Sequence, residues 1–234
     1  EHSRASGNTY YHDYEIGSGK PVDNGQYTVF KVRIYNASNT ITRFQVKKHP
    51  NYSRPHYSPI LWAVFGTTGI TDYSNTFYTG GQVECRALQA CSIPSFESCT
   101  STSYMLYNCT SLRLVGLPSS WGSVTDVSYM LYGCSSLVNV NLPSSWGNVV
   151  NASSMLAYCY SLVNVNFPSS WGNVTNASYM LAGCYSLKTI NNLQYLGSQT
   201  TEADFTSFMR DTQAFSGTVT IASKLSKIGI YGAS

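Results

Sequence analysis

The chain has 234 residues, a net charge of +3, and only 11% charged residues, against about 25% in typical soluble domains. Its polar surface must therefore come from Ser, Asn, Thr and Tyr. So small a net charge does not favour nucleic acid or an anionic membrane as a partner. No apolar run approaches the length of a membrane span, so the sequence predicts none.

Residues 1–76 differ from the rest of the chain and contain all four histidines. Alternating segments at 27–35 and 40–48 predict two strands, and 58–66 predicts a third, more buried strand. We therefore expect a small β-rich domain or cap that covers the start of the region beginning at residue 77. A junction is expected at the glycines around 67–80.

Two features of this region resemble sites. A proline-rich segment carries His49, Arg54 and His56, which suit a metal or an anion, but an ordinary loop explains them better. We predict no metal site. A basic stripe, which fits a solvated sheet face or a docking surface for a partner, comprises Lys31, Arg33, Arg43, Lys47 and Lys48.

From residue 77 onwards the chain is repetitive. The phrase Cys-x-x-Leu recurs every 25 residues, beginning at Cys109, Cys134, Cys159 and Cys184, and a Ser-Ser-Trp-Gly phrase accompanies the first three. A fixed period of this length predicts a solenoid in which each coil covers the apolar side of its neighbour.

Each coil is predicted to contain one short strand. Val140 and Leu142 point inward, and Asn139 and Asn141 point outward, because side chains alternate along a strand. Pro143 ends the strand since it has no N–H for the ladder. The segment SYMLYGC predicts one or two helical turns, which Asp126 or Asn151 would cap. A coil is thus a strand on one side and a short helix on the other.

About six coils are predicted over 77–222, followed by a tail at 223–234. Cys85 begins a disguised first coil, in which Cys91 replaces a strand valine and Cys99 a core valine. All seven cysteines then occupy packing positions and are predicted to be free thiols. A disulfide framework is the weaker alternative, since the number is odd and neighbouring side chains point in parallel.

The phrases MLYGCSSL and SSWGNVTNASYM resemble the BspA-like leucine-rich repeats of bacterial and phage surface proteins. The resemblance covers about 85–222. It implies a right-handed solenoid, a role in adhesion or recognition, and a location that is extracellular, on a cell surface or on a virion surface. It implies no enzymatic activity.

The residues themselves indicate no catalytic chemistry and no cofactor. Motifs of nucleophilic hydrolases, phosphate-binding loops and zinc proteases are absent from the sequence. Glu202, Asp204 and Asp211 lie close in sequence, but an acidic loop in a degenerate last coil explains them. The protein is predicted not to be an enzyme.

The first candidate binding surface is the outward face of the strands. It presents five amides that suit sugar hydroxyls because they donate and accept, namely Asn139, Asn141, Asn164, Asn166 and Asn191. The alternative is a ladder in which these amides bond one another between coils.

The second candidate surface is the predicted helical side, where the repeats vary. Tyr, Ser, Gly and Asn occupy these variable positions, as in antibody contact loops. The tyrosines singled out are Tyr107, Tyr132, Tyr158, Tyr160 and Tyr185. Lateral packing against other copies is the alternative.

Six Asn-x-Ser/Thr sequons occur, which we attribute to composition: Asn36, Asn51, Asn108, Asn151, Asn173 and Asn176. The leading hypothesis is a non-enzymatic adhesion or recognition protein that binds a host or cell-surface glycan or protein. The alternative is a structural subunit of a fibre, coat or capsid decoration, whose partners are copies of itself.

Overall fold

The computed structural model describes residues 2–6, 9–13, 62–65, 69–78, 85–192, 195–196, 203–212 and 225–228. The predicted strands at 27–35 and 40–48 and the proposed basic stripe lie outside these residues. The chain divides into two compact units, 1–35 and 36–234. In the first unit, β1 (His2–Ser6) and β2 (Thr9–Asp13) form an antiparallel hairpin.

The second unit contains the repeats, and one short parallel strand recurs in each coil. Two three-stranded sheets result, one of β3 (Trp62–Val64), β4 (Ala90–Ser92) and β5 (Leu114–Gly116), the other of β6 (Asn139–Asn141), β7 (Asn164–Asn166) and β8 (Thr189–Asn191). The parallel strands confirm the predicted solenoid. Coil one contains β4, and the coils are numbered from there.

Strand β3 falls within the predicted strand at 58–66 and pairs with β4. The sequence assigned this segment to the N-terminal region, whereas the structure places it at the start of the repeat sheet. Tyr73 and Phe77 are also buried in the same core as the first cysteines. The segment around residues 62–78 therefore supplies strand and core positions to the solenoid.

The side opposite the strands is built from consecutive turns, and the prediction of a short helix in each coil was wrong. Within coil two, Met105 N–H donates to the carbonyl of Thr102 at 3.1 Å, and Cys109 N–H donates to that of Leu106 at 3.2 Å. The third residues of these two turns, Tyr104 and Asn108, have φ of 56° and 55°. Such values are typical of type II turns and incompatible with a continuous right-handed helix.

The physical reason lies in where the remaining backbone groups bond. Leu106 N–H donates to the carbonyl of Met130 in the next coil at 2.8 Å, and Leu131 N–H donates to that of Met155 at 3.0 Å. Bonds within a turn thus alternate with bonds between coils. A helix would use all of these groups locally and leave the coils joined only by side chains.

A polar residue at the start of each coil forms a second ladder of parallel bridges, through Asp72, Ser101, Asp126, Asn151, Asn176 and Asp204. The side chain accepts from the backbone N–H two residues on, as Asp126 Oδ1 does from Ser128 at 2.9 Å. This capping was predicted for Asp126 and Asn151. Carboxylates are never in adjacent coils, which avoids repulsion between like charges one ladder step apart.

The core between the two ladders contains rows of identical side chains. Trp121 and Trp146 stack with ring centroids 5.4 Å apart, and Phe96 and Leu196 are buried at the positions predicted to replace Trp. All seven cysteines are buried and free, as predicted. Cys134 Sγ–H donates to the Leu106 carbonyl at 3.3 Å, and Cys159 and Cys184 repeat this bond one coil on.

The last coil is followed by a strand pair. β9 (Ala203–Phe205) pairs in parallel with β10 (Leu225–Ile228). The sequence assigned 223–234 to a tail, and the structure places part of it as a strand beside the final turn segment. Ala203 and Phe205 are buried, so β9 also belongs to the solenoid core.

Candidate functional site

The turn side carries four columns of residues that lie one coil apart, because the inter-coil bonds fix their register. Turn column one contains Asn75, Tyr104, Tyr129, Ser154, Tyr179 and Ser207, all with positive φ. Turn column two contains Tyr78, Tyr107, Tyr132, Ala157, Ala182 and Arg210. Turn column three contains Asn108, Gly133, Tyr158, Gly183 and Asp211, and turn column four contains Thr110, Ser135, Tyr160 and Tyr185.

Eight tyrosines in these columns form one continuous series of ring contacts. We call it the tyrosine strip: Tyr78, Tyr104, Tyr107, Tyr129, Tyr132, Tyr158, Tyr160 and Tyr185. Tyr104 and Tyr129 stack with centroids 4.7 Å apart and planes 8° apart, and Tyr107 and Tyr132 stack at 4.7 Å and 6°. The ring spacing matches the spacing of hydrogen-bonded strands, about 4.8 Å.

The strip changes columns between coils three and four. Tyr132 of column two meets Tyr158 of column three edge to face at 5.1 Å, and Tyr160 then stacks on Tyr185 at 5.4 Å and 6°. Column two continues with Ala157 and Ala182, which are 1% and 3% exposed. Small residues therefore leave space where the rings move sideways, and the series remains unbroken.

Glycine makes the change of column possible. The ring of Tyr158 occupies the space in front of Gly183, and the side chain of Asn108 occupies that in front of Gly133. Both glycines also have positive φ, 72° and 70°. Large and small residues thus alternate along column three because each large side chain covers the next coil.

The strip is electrically neutral over most of its length. Burial, followed by the neighbouring phenols, raises the pKa of Tyr132 to about 12, and burial also raises the pKa of Tyr104 and Tyr107. These hydroxyls stay protonated at neutral pH. Charge appears in columns two and three of coil six, where Arg210 Nε lies 3.4 Å from Asp211 Oδ2.

The structure brings together all five tyrosines that the sequence singled out, and it adds three that the sequence missed. Tyr78, Tyr104 and Tyr129 were overlooked because Tyr104 and Tyr129 belong to the constant phrase Ser-Tyr-Met, which was assigned to the framework. Their positive φ turns them towards Tyr107 and Tyr132. Recurrence of Tyr at two positions per coil was the available signal.

The strand side carries the predicted asparagines, and they face outward. Asn164 Nδ2 donates to Asn139 Oδ1 and Asn166 Nδ2 to Asn141 Oδ1, both at 2.8 Å, and Asn191 donates to Asn166. The geometry is therefore that of the inter-coil amide ladder left open by the sequence. It is confined to coils three to five, since coil two has Leu114 and Gly116 there, with Leu114 70% exposed.

The other chemical groups form no reactive centre in the described part of the chain. Burial raises the pKa of Cys91 and Cys184 to about 12, so these thiols are not nucleophiles at neutral pH. No group of three or more His, Cys, Asp or Glu lies together among the described residues. His49, Arg54, His56 and Glu202 are outside them, and Asp204 Oδ1 accepts from Thr206 N–H at 2.8 Å.

The sequons of the described residues differ in their surroundings. The amide oxygens of Asn151 and Asn176 accept backbone bonds from Ser153 and Ser178. Asn108 and Asn173 are exposed, and Asn173 Nδ2 lies 3.4 Å from the Gly147 carbonyl. Asn36 and Asn51 lie outside the described part of the chain.

Among the described residues, no helix has the length and apolar character that a bilayer crossing requires.

Residues 74–209, more than half of the chain, match six copies of the BspA type Leucine rich repeat region. Six copies agree with the number of coils predicted. A solved leucine-rich-repeat protein of T. pallidum is similar over 58% of this chain and 71% of its own, with 20% identity and a TM-score of 0.36. A search of curated proteins finds no match to the chain.

Proposed function

Because the chain belongs to the BspA-type leucine-rich-repeat family, we propose that it is a non-enzymatic recognition protein of a cell, virion or other extracellular surface. It binds a glycan or protein ligand through the tyrosine strip. The family membership supports a repeat framework, and the ligand-binding role rests on the exposed turn side of the coils.

The observation that carries this proposal is the exposure of large rings that the core does not need. Tyr158, Tyr160 and Tyr185 are 37%, 45% and 44% exposed, whereas the Met, Leu, Cys and Trp rows are almost completely buried. Exposed aromatic rings in a contiguous set are more typical of interaction surfaces than of ordinary protein surface. The tyrosine strip therefore has the character of a contact surface.

The chemistry of the strip favours a neutral, polar ligand. Ring faces in the paired stacks cover one another, so the strip presents ring edges and hydroxyls rather than open faces. Tyr hydroxyls both donate and accept, and the rings lose little conformational entropy on binding. Sugar hydroxyls and peptide groups are suitable partners for such a surface.

The outward asparagines are the second candidate surface, and they are proposed with less capacity. Each of Asn139, Asn164 and Asn166 already uses one amide bond within the ladder. A primary amide has two N–H groups and a carbonyl with two lone pairs. The remaining groups face outward and form a row of donors and acceptors along coils three to five.

A structural subunit is the alternative function. The low charge of the chain and the close-packed rings also suit lateral contact with copies of the same protein. Size-exclusion chromatography with light scattering separates the two functions. A monomer supports recognition of a foreign ligand, and defined oligomers or polymers support the structural role.

The recognition proposal is tested by replacing Tyr158, Tyr160 and Tyr185 together with Ser. Binding to cells, to a glycan array and to immobilised copies of the protein is compared with that of the wild type. The matched control replaces Tyr195 with Ser, because Tyr195 is 41% exposed and outside the strip. A separate variant with Asn164 and Asn166 changed to Ala tests the strand face.

We expect the triple variant to lose most binding while the control retains it. Hot-spot aromatic residues typically cost at least about 2 kcal/mol when truncated, which is roughly thirty-fold in affinity. Unchanged binding to cells, glycans and self by the triple variant would contradict a role of the strip. Loss restricted to the asparagine variant would move the binding surface to the strand side.

A further inference from the structure

One pair in the tyrosine strip combines parallel stacking with high exposure. Tyr160 and Tyr185 lie one coil apart, with ring centroids at 5.4 Å and planes 6° apart. They are 45% and 44% exposed. The other stacked pairs, Tyr104–Tyr129 and Tyr107–Tyr132, are half-buried and pack against one another as a group of four rings.

We propose that Tyr160 and Tyr185 are the site of an oxidative cross-link, formed when a haem peroxidase with hydrogen peroxide couples the two phenols to dityrosine. Each phenol loses one electron and one proton to give a phenoxyl radical. The two electrons and two protons reduce one peroxide to two waters. The radicals then join through their ortho carbons, and the two ortho hydrogens move to the phenol oxygens.

The cross-link requires the rings to move from face to face to edge to edge. Ring edges meet only if the side chains rotate, and rotation is restricted for rings that are packed on several sides. Tyr160 and Tyr185 have the space because they are the most exposed of the stacked rings. Rings of the group of four are held by two or more neighbours each.

The backbone already places the two residues at a suitable separation. They are equivalent positions of adjacent coils, and hydrogen-bonded neighbours in such ladders are about 4.8 Å apart. Short side-chain bridges such as disulfides span similar distances without stretching the chain. The coupling therefore needs rearrangement of two rings and no movement of the coils.

The strip also offers a route by which oxidation elsewhere reaches this pair. Tyr107 contacts Tyr132 at 4.7 Å, Tyr132 contacts Tyr158 at 5.1 Å, and Tyr158 contacts Tyr160 at 6.1 Å. A phenoxyl radical on an upstream ring regains an electron and a proton from its neighbour, which becomes the radical in turn. The pair with freedom to couple then ends the series.

The consequence is a covalent connection between coils four and five in a protein whose seven thiols are all free. Closing a loop of 25 residues restricts the unfolded chain, as a disulfide of the same span does. The cross-linked protein is therefore expected to unfold at a higher urea concentration than the untreated protein.

The test treats the full chain, at a concentration that keeps it monomeric, with a haem peroxidase and one equivalent of hydrogen peroxide. Digestion uses pepsin or chymotrypsin, because no Lys or Arg lies between Tyr160 and Tyr185. Mass spectrometry is expected to find these two residues joined with the loss of two hydrogen atoms. Their dityrosine should exceed that of any other pair in yield.

Tyr160→Phe and Tyr185→Phe are each expected to abolish this product, since Phe retains the ring and cannot form a phenoxyl radical. Tyr179→Phe and Tyr195→Phe are the controls, with original rings 39% and 41% exposed, and should leave the yield unchanged. Urea unfolding before oxidation verifies that each variant is folded. The inference is overturned if dityrosine forms mainly at another pair, only between molecules, or not at all.

Discussion

The ring of Tyr158 fills the space into which a side chain at Gly183 would project. A Cβ atom placed on Gly183 would lie 2.7 Å from Tyr158 Cδ1. Both residues also have positive φ, 60° for Tyr158 and 72° for Gly183. The position of the tyrosine strip in coil four thus depends on the absence of a side chain in coil five.

Substitution of three glycines by Ala should separate backbone strain from packing. Gly147→Ala has φ of 50° and nothing within 4 Å of the new Cβ, so only the left-handed conformation is penalised, by about 1 kcal/mol. Gly183→Ala should cost more because Tyr158 must move. Gly172→Ala should cost most, since its Cβ would clash with the Gly147 carbonyl oxygen, which belongs to the backbone.

Urea unfolding of the three variants provides the measurement. The expected order of stability is Gly147→Ala, then Gly183→Ala, then Gly172→Ala as the least stable. Equal losses in all three would show that the φ penalty alone decides and that the contact between Tyr158 and Gly183 has no energetic role.

The cysteines should be unreactive in the folded protein. All seven are buried, and burial raises the pKa of Cys99 to about 11 and that of Cys91 to about 12. A thiol reagent should therefore label none of them in the native protein at neutral pH within minutes. In denaturant without reductant, all seven should react. A smaller number under those conditions would indicate disulfides and contradict the free-thiol structure.

Alkaline pH should destabilise the fold through Tyr132. Its pKa is about 12 in the folded protein, compared with about 10 in an unfolded chain. Between these values the unfolded state releases a proton that the folded state retains, so the free energy of unfolding falls as pH rises from about 10 to about 12. Below about pH 10 this group has no effect.

Tyr132→Phe tests the assignment, because it keeps the ring stacked on Tyr107 and removes the ionisable group. The variant should lose stability less steeply than the wild type over this pH range in urea unfolding. Buried thiols act with the same sign from about pH 8.5 upwards, but they are common to both proteins and cancel in the comparison. Parallel curves would exclude Tyr132 as a source.

A carboxylate at position 151 should be unfavourable because Asp126 occupies the same ladder in the preceding coil. Asn151→Asp keeps the acceptor for Ser153 N–H, so the change isolates charge. We expect a loss of about 0.5–1 kcal/mol at neutral pH, as for like charges opposite one another. Asn151→Ser is the control, which keeps a capping oxygen without charge.

The loss in Asn151→Asp should depend on conditions in a defined way. Repulsion raises the pKa of the paired carboxyls in the folded state, so the penalty is present above about pH 4 and disappears below it. Added salt should also reduce it. A penalty that persists at pH 3 would indicate lost packing in place of electrostatic repulsion.

The periodic positions of the chain could be predicted because one residue type recurs at one structural role. The cysteine phrase predicted the coil, the inward Val140, the capping Asp126 and the replacement of Val by Cys91, and the structure has all of them. These positions are fixed by burial, which leaves a strong pattern in the sequence.

The turn side could not be predicted because its decisive feature is a backbone angle. SYMLYGC has the composition of a short helix, yet Tyr104 and Tyr129 adopt positive φ that bulky residues rarely have. Inter-coil hydrogen bonds compensate for that conformation, and a single repeat does not contain them. The sideways shift of the rings at Tyr158 likewise depends on Gly183, which is 25 residues away.

The two sheets of the solenoid leave a discontinuity between Gly116 and Asn139, because β5 and β6 are not joined as a strand pair. The polar ladder of coil-starting residues is continuous there, since Ser101 bridges Asp126 and Asp126 bridges Asn151. The coils at this level are therefore fastened along one side and free to part along the other. Bending of the array, opening first on the strand side, is concentrated at this one level, where a curved target would meet least resistance.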